Sequence, residues 1–243
     1  MIKASLFAAG LCSVLASTVS AGMIAQWDFQ TTTNGGTAIA GAPLTPKLFV
    51  ANFGTGSLYL DGTNGSSNFF EPVTGSTNTE INAFGGTALN ATGGMSIVTT
   101  SPAALAIVGG LASGTPPTYA ANGKAMVFAF SMSGLSNLTV SYAVQRTATG
   151  FTTQQWDYST DGTNWFNAAT VGGLAASFTV TNFTLASGLN NAASAYMRVT
   201  FTGATSATGN NRMDNFQFNA DAIPAPGAAA LIGLAGLVAR RRR

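Results

Sequence analysis

The chain has 243 residues, 46% of them hydrophobic and only 7% charged, with a formal net charge of +2, one cysteine and no histidine. That balance excludes an open, charge-repelled chain, and the length suffices for one sizeable β domain or two small ones. A His-based catalytic triad, a Cys–His nucleophile, a Cys/His zinc site and a disulfide are all excluded by the missing residues.

The positive charge belongs to the ends. Between Gly22 and Ile223 five bases face eight acids, a net charge of −3. The body therefore lacks a basic face to neutralise phosphates, which argues against a nucleic-acid partner. Thr, Ser, Asn and Gly supply most of its polar surface.

Residues 1–21 begin with Lys3, continue through an apolar run over 4–18, and end on Val19-Ser20-Ala21. Charge, apolar run and small residues in that order predict a signal peptide cut after Ala21, with signal peptidase as the partner. Cys12 leaves with it.

The body, residues 22–221, reads as strands. Residues 24–29 open it, 31–41 form a loop, and 61–94 is too long for a structureless loop, so a short strand is expected near 82–89. Residues 109–123 read as a second loop. Residues 125–132 are apolar throughout, as in a central strand. Residues 137–146 place Leu138, Val140, Tyr142 and Val144 on one face. Residues 177–185 place Phe178, Val180 and, after a slip, Phe183 and Leu185 inward. Residues 196–202 and 212–219 alternate as well. Period-two alternation rich in β-branched and aromatic residues is the strand signature. The fold class is all-β, an antiparallel two-sheet sandwich of jelly-roll type in one domain.

WDYSTDGTNWF, residues 156–166, is the clearest local unit. Asp161-Gly162 suits the positive φ of a hairpin turn. Trp156, Tyr158 and Trp165 are then half-buried across the hairpin, either as an aromatic platform for a sugar ring or as ordinary cross-strand packing.

The order QWDYSTDGTNW, then YMRVTFTGATSATGNNRMDNFQF, resembles the C-terminal half of bacterial surface jelly-roll domains related to carbohydrate-binding or discoidin-like modules. The likeness covers about residues 155–218 and speaks to fold. In such modules the first and last strands lie side by side and commonly hold a structural calcium. Asp28 and Asp214 are the candidate ligands this implies, oxygen donors being what calcium takes. The alternative is that Asp214 pairs with Arg212 or Arg198, or caps a turn. No other cofactor is indicated. For hydrolysis, Glu71 and Glu80 are the only glutamates that could form a carboxylate pair, and neither lies on a predicted rigid strand. The chain reads as non-enzymatic.

Residues 223–243 read IPAPGAAALIGLAGLVARRRR. The apolar run over 224–239 spans about 24 Å if helical at about 1.5 Å per residue, short of the roughly 30 Å of a bilayer core. Pro224-Ala225-Pro226, a short apolar helix and Arg240, Arg241, Arg242 and Arg243 together resemble a PEP-CTERM sorting domain, with Ala225 where that family has Glu. The resemblance implies transient membrane insertion and cleavage by an exosortase-type membrane protease. The protein would then pass to the cell envelope or an extracellular matrix. A permanent C-terminal anchor is the alternative.

The leading expectation is an exported, non-enzymatic surface or matrix protein. The second is a carbohydrate-binding module whose partner is an extracellular polysaccharide. The third is a hydrolase.

Overall fold

The structure, a computed structural model, describes residues 21–32, 35–39, 47–61, 68–69, 79–92 and 95–224. The expected signal peptide up to Ser20, Glu71, and the tail from Ala225 to Arg243 lie outside them.

The alternating segments pair into two antiparallel sheets packed face to face. One has seven strands. Its middle is β10 (Leu135–Arg146) and β15 (Asn210–Ala222), with β13 (Thr179–Leu185) outside β10. On the far side of β15 lie β6 (Ala104–Val108) and β1 (Gly22–Trp27), one after the other along its length. β5 (Ile81–Phe84) flanks β6, and β3 (Phe53–Gly54) flanks β1. The second sheet has the order β12 (Phe166–Val171), β11 (Thr153–Ser159), β14 (Ala195–Thr202), β9 (Ala125–Phe130), β4 (Gly56–Tyr59), β2 (Leu48–Val50). A small hairpin, β7 (Ala112–Ser113) with β8 (Thr118–Tyr119), interrupts the expected 109–123 loop. The strand expected near 82–89 is β5.

Alternation dictates which side chains enter the sandwich. Leu138, Val140, Tyr142 and Val144 of β10 are fully buried, as are Met197, Val199 and Phe201 of β14 and Met213, Phe216 and Phe218 of β15. Phe128 is the hub. Its ring lies 5.0 Å from Trp27, 5.0 Å from Phe218 and, stacked, 5.8 Å from Trp156. Each such ring contributes about 1.5–3 kcal/mol on burial, and the edge-to-face pairs add to that. The inward face expected over residues 177–185 is corrected at two positions. Phe183 and Leu185 pack on the core, but Val180 is 44% exposed, and Phe178 precedes β13 and lies outside the core cluster. The two inward residues set the parity of the strand, and Val180 is an odd number of residues from each.

β15 changes partner midway. Met213 is the last residue paired with β6 and Phe216 the first paired with β1. Asp214-Asn215 falls in the gap, beside an irregularity against β10, with Asn215 at φ 51°. The outer face of the sheet there is crossed by the connection after β5, residues 85–92 and 95–99.

Candidate functional site

The loop joining β11 to β12 is built by Asp161. Its Oδ1 accepts from the backbone N–H of Thr163 and Asn164, both at 2.8 Å, and its Oδ2 from Asn164 Nδ2 at 2.7 Å. Ser159 Oγ donates to Asp161 Oδ1 at 2.9 Å and accepts from Gly162 N. These bonds, led by the one from Asn164 N, hold the Asp161 carboxyl well below the usual carboxylate range. Gly162 supplies the turn at φ +73°.

The rigid loop lays Trp165 on the outer face of the six-stranded sheet. There the Arg198 guanidinium sits 4.3 Å from the Trp165 ring centroid. Antiparallel register places Asp157 directly opposite Arg198. Arg198 Nη2 donates to Asp157 Oδ2 at 2.9 Å. Gln155, two residues earlier, accepts from Thr170 Oγ1 at 2.6 Å. The Nε of Arg198 is buried without a partner. The result is a half-exposed indole backed by a charge-paired guanidinium, among amide and hydroxyl groups.

The three-aromatic platform expected from the sequence does not assemble. Trp156 is fully buried, stacked on Phe128 and donating from Nε1 to Tyr142 OH at 3.1 Å. Tyr142 OH in turn donates to Gln154 Oε1, and burial pushes the Tyr142 hydroxyl above its ordinary value. Tyr158 faces the same interior side, because its strand partner is the buried Met197. Its ring is closed over by Gly188, where an added Cβ would stand 2.5 Å from ring carbon Cε2. Asp157 lies between the two on the opposite face, with Trp165. A fully buried Trp156 offers no ring face to a ligand, and of the three rings only Trp165 lies on the outer face.

Asp28 and Asp214 do come together, both buried, beneath residues 85–92 and 95–99. Asp28 Oδ1 accepts from the backbone N–H of Gln30 and Thr31, and its Oδ2 from Ser96 N at 3.0 Å. Asp214 Oδ2 accepts from Thr87 N at 2.9 Å and its Oδ1 from Asn215 N at 2.9 Å. Neither carboxylate forms an ion pair among the described residues. Arg198 is taken by Asp157, and Arg212 stacks on Phe84 at 4.3 Å and bonds Asn210. Burial, reinforced by the charge of Asp28, pushes the Asp214 carboxyl up to about 8, against the hydrogen bonds from Thr87 and Asn215. The Oδ1 of Asn215 and the Oε1 of Gln26 are buried acceptors without a partner. Two neighbouring carboxylates are oxygen donors of the kind a hard cation takes. Among the described residues no group of three or more His, Cys, Asp or Glu could hold a metal.

Glu80 is buried and pairs with Lys124 at 2.5 Å. It directly precedes β5 and does not lie on it. Pro224 ends the described chain and is exposed. Among the described residues no helix is long and apolar enough to cross a membrane.

No protein-family model matches the chain, and no curated protein sequence matches it. Among solved structures it is similar to the CBM22-1 xylan-binding domain of Paenibacillus barcinonensis Xyn10C. There the identity is 9%, the match covers 86% of this chain and all of that one, and the TM-score is 0.39. The tandem CBM22-1–CBM22-2 of the same enzyme matches at 10% identity, over 87% of this chain and 50% of that one, with a TM-score of 0.42. TmCBM61, solved with β-1,4-galactotriose, matches at 8% identity, over 57% of this chain and 81% of that one, with a TM-score of 0.36.

Proposed function

We propose that the chain is a non-catalytic glycan-binding sandwich, with its binding face on the outside of the six-stranded sheet at Trp165, Arg198, Asp157 and Gln155. One observation carries this reading. Of the three tryptophans, Trp27 and Trp156 are fully buried, and Trp165 alone is partly exposed, on the outer face, next to a loop stiffened through Asp161. A half-exposed indole costs apolar surface in water, and a site that spends it on a rigid element suits a ligand with an apolar face and a polar rim. A pyranose ring has both. The Arg198–Asp157 pair and Gln155 supply donors and acceptors beside it. The test is retention of the purified protein on a panel of immobilised polysaccharides. Retention that disappears in Trp165→Ala while the thermal melt is preserved supports the reading. Equal behaviour of wild type and variant on every glycan removes it.

The pairing of buried Asp28 and Asp214 favours a second, structural reading for that region. Asp28, Asp214 and Asn215 would hold a calcium ion that ties the first and last strands to residues 85–92 and 95–99. Its charge there would favour the ionised form of the Asp214 carboxyl, and it takes no part in a reaction.

The PEP-CTERM resemblance supports export, followed by cleavage near Pro224-Ala225-Pro226 by an exosortase-type protease. The glycan-binding face would then work at the envelope or in a polysaccharide matrix.

A further inference from the structure

The two sheets end, on one side of the sandwich, in β12 and β13. From Gly162 to Met197 the sequence carries no Asp, Glu, Lys, Arg or Pro, and both edge strands lie within that span. Edge strands present a row of unpaired N–H and C=O groups, and proteins guard them with charge, proline, bulges or brevity. The other sheet edges here are guarded. β3 has two residues, β2 three and β5 four, with Lys47 directly before β2. β12 is irregular against β11. β13 has none of these devices. Its seven residues pair with β10 in unbroken register, from Leu138↔Leu185 to Val144↔Thr179. It is the terminal strand of its sheet. Its outer-facing residues, Val180, Asn182 and Thr184, are all exposed. Thr184 Oγ1 lies 3.0 Å from Thr139 Oγ1 in a hydroxyl ladder that stops at this edge.

We propose that β13 pairs antiparallel with β13 of a second copy of this chain, making one continuous sheet from two seven-stranded ones. An identical partner repels any charge at the two-fold axis and any charge that meets no opposite one across it, and this edge carries no charge at all. A two-fold axis at Asn182 sets Val180 against Thr184 of the partner subunit, twice, and Asn182 against its own counterpart. Directly opposite residues in such a pair lie close enough for like charges to repel and unlike charges to attract.

That register dictates the experiment, which is sedimentation equilibrium of the full chain over a range of concentrations. Wild type is expected at twice the chain mass. Val180→Lys alone and Thr184→Glu alone are each expected to weaken association at least tenfold. Combined in one chain, they place Lys opposite Glu twice and restore the dimer. A monomeric wild type overturns the proposal. So does association that ignores both single substitutions, the result expected if the apolar tail drives it, and so does a double variant that stays dissociated. If a charged variant loses its cooperative melt, Asn182→Cys in a Cys12→Ser background reads the same contact. A disulfide-linked dimer under mild oxidation supports the pairing, and its absence overturns it.

Discussion

Replacing Trp165 by alanine separates binding from folding, because the structure assigns the indole almost no share of the core. Its one aromatic contact of note is the Arg198 guanidinium at 4.3 Å. At a part-exposed site such a contact contributes about 0.5–1 kcal/mol. The Arg198–Asp157 pair remains when the ring is gone. For a domain of this size 1 kcal/mol moves Tm by about 2–4 °C, so Trp165→Ala is expected to melt within a few degrees of wild type. If the indole is the anchor of a glycan site, truncating it costs about 2 kcal/mol or more of binding, roughly thirtyfold in Kd. Trp156→Ala is the internal control. It empties a core position stacked on Phe128 and strands Tyr142 OH, at about 3–5 kcal/mol. The assay is isothermal titration against whichever polysaccharide retains wild type, beside calorimetric melts of all three proteins. A Trp165→Ala protein that binds as wild type does refutes the site. One that loses as much stability as Trp156→Ala refutes the view that Trp165 lies outside the core.

The Asp214 carboxyl, raised to about 8 from 3.8, lets the folded chain keep a proton that the unfolded chain gives up near pH 4. Its contribution is complete below that pH and drains away as pH rises through about 8, at up to about 1.4 kcal/mol per pH unit. Asp214→Asn should flatten this limb of the Tm–pH profile in chelator. Millimolar calcium should raise the wild-type Tm most near pH 8 and leave Asp214→Asn unmoved, and a wild type indifferent to calcium at every pH removes the cation. Tyr142→Phe takes the acceptor from Trp156 Nε1 and the donor from Gln154 Oε1, both buried, so denaturant unfolding should show a loss of about 2–4 kcal/mol. Intact mass by cell fraction in the native host should find a form running from Gly22 to near Pro224, and a membrane-bound form retaining Arg243 would mean a permanent anchor.

The fold was legible where alternation is long. Residues 137–146 carry four inward side chains at period two, enough to fix the strand, its face and its burial together. Short strands carry too little pattern. β2, β3 and β4 lie in Gly-, Ser- and Asn-punctuated sequence, and no two or three residues there state a period. β3 and β4 are strands because β1 and β9 offer them ladders, and β2 because β4, once placed, offers it one, pairings that no two or three residues state. β6 is buried at all five positions, so it shows no alternation at all. The parity of β13 was missed at Val180 for a related reason, since an edge strand leaves one face free to take either kind of residue.

The site turned on a single unit of parity. Trp156, Tyr158 and Trp165 look like neighbours in WDYSTDGTNWF, and a hairpin with a two-residue turn would have made them so. The loop is longer, because Asp161 folds it back through three hydrogen bonds of its own. Trp165 therefore lands over the face that carries Asp157, whereas Trp156 and Tyr158 point the other way. Once the face is known, its chemistry follows from register, since Asp157 lies opposite Arg198. The pair could have been found from the sequence by aligning 153–159 against 196–202 so that Trp156 and Val199 both point inward. That alignment sets the only base of one strand against the only acid of the other. A buried tryptophan and a partly exposed one can thus stand nine residues apart in one hairpin, and only the parity of the strands, with the length of the turn, decides which of them reaches the outer face.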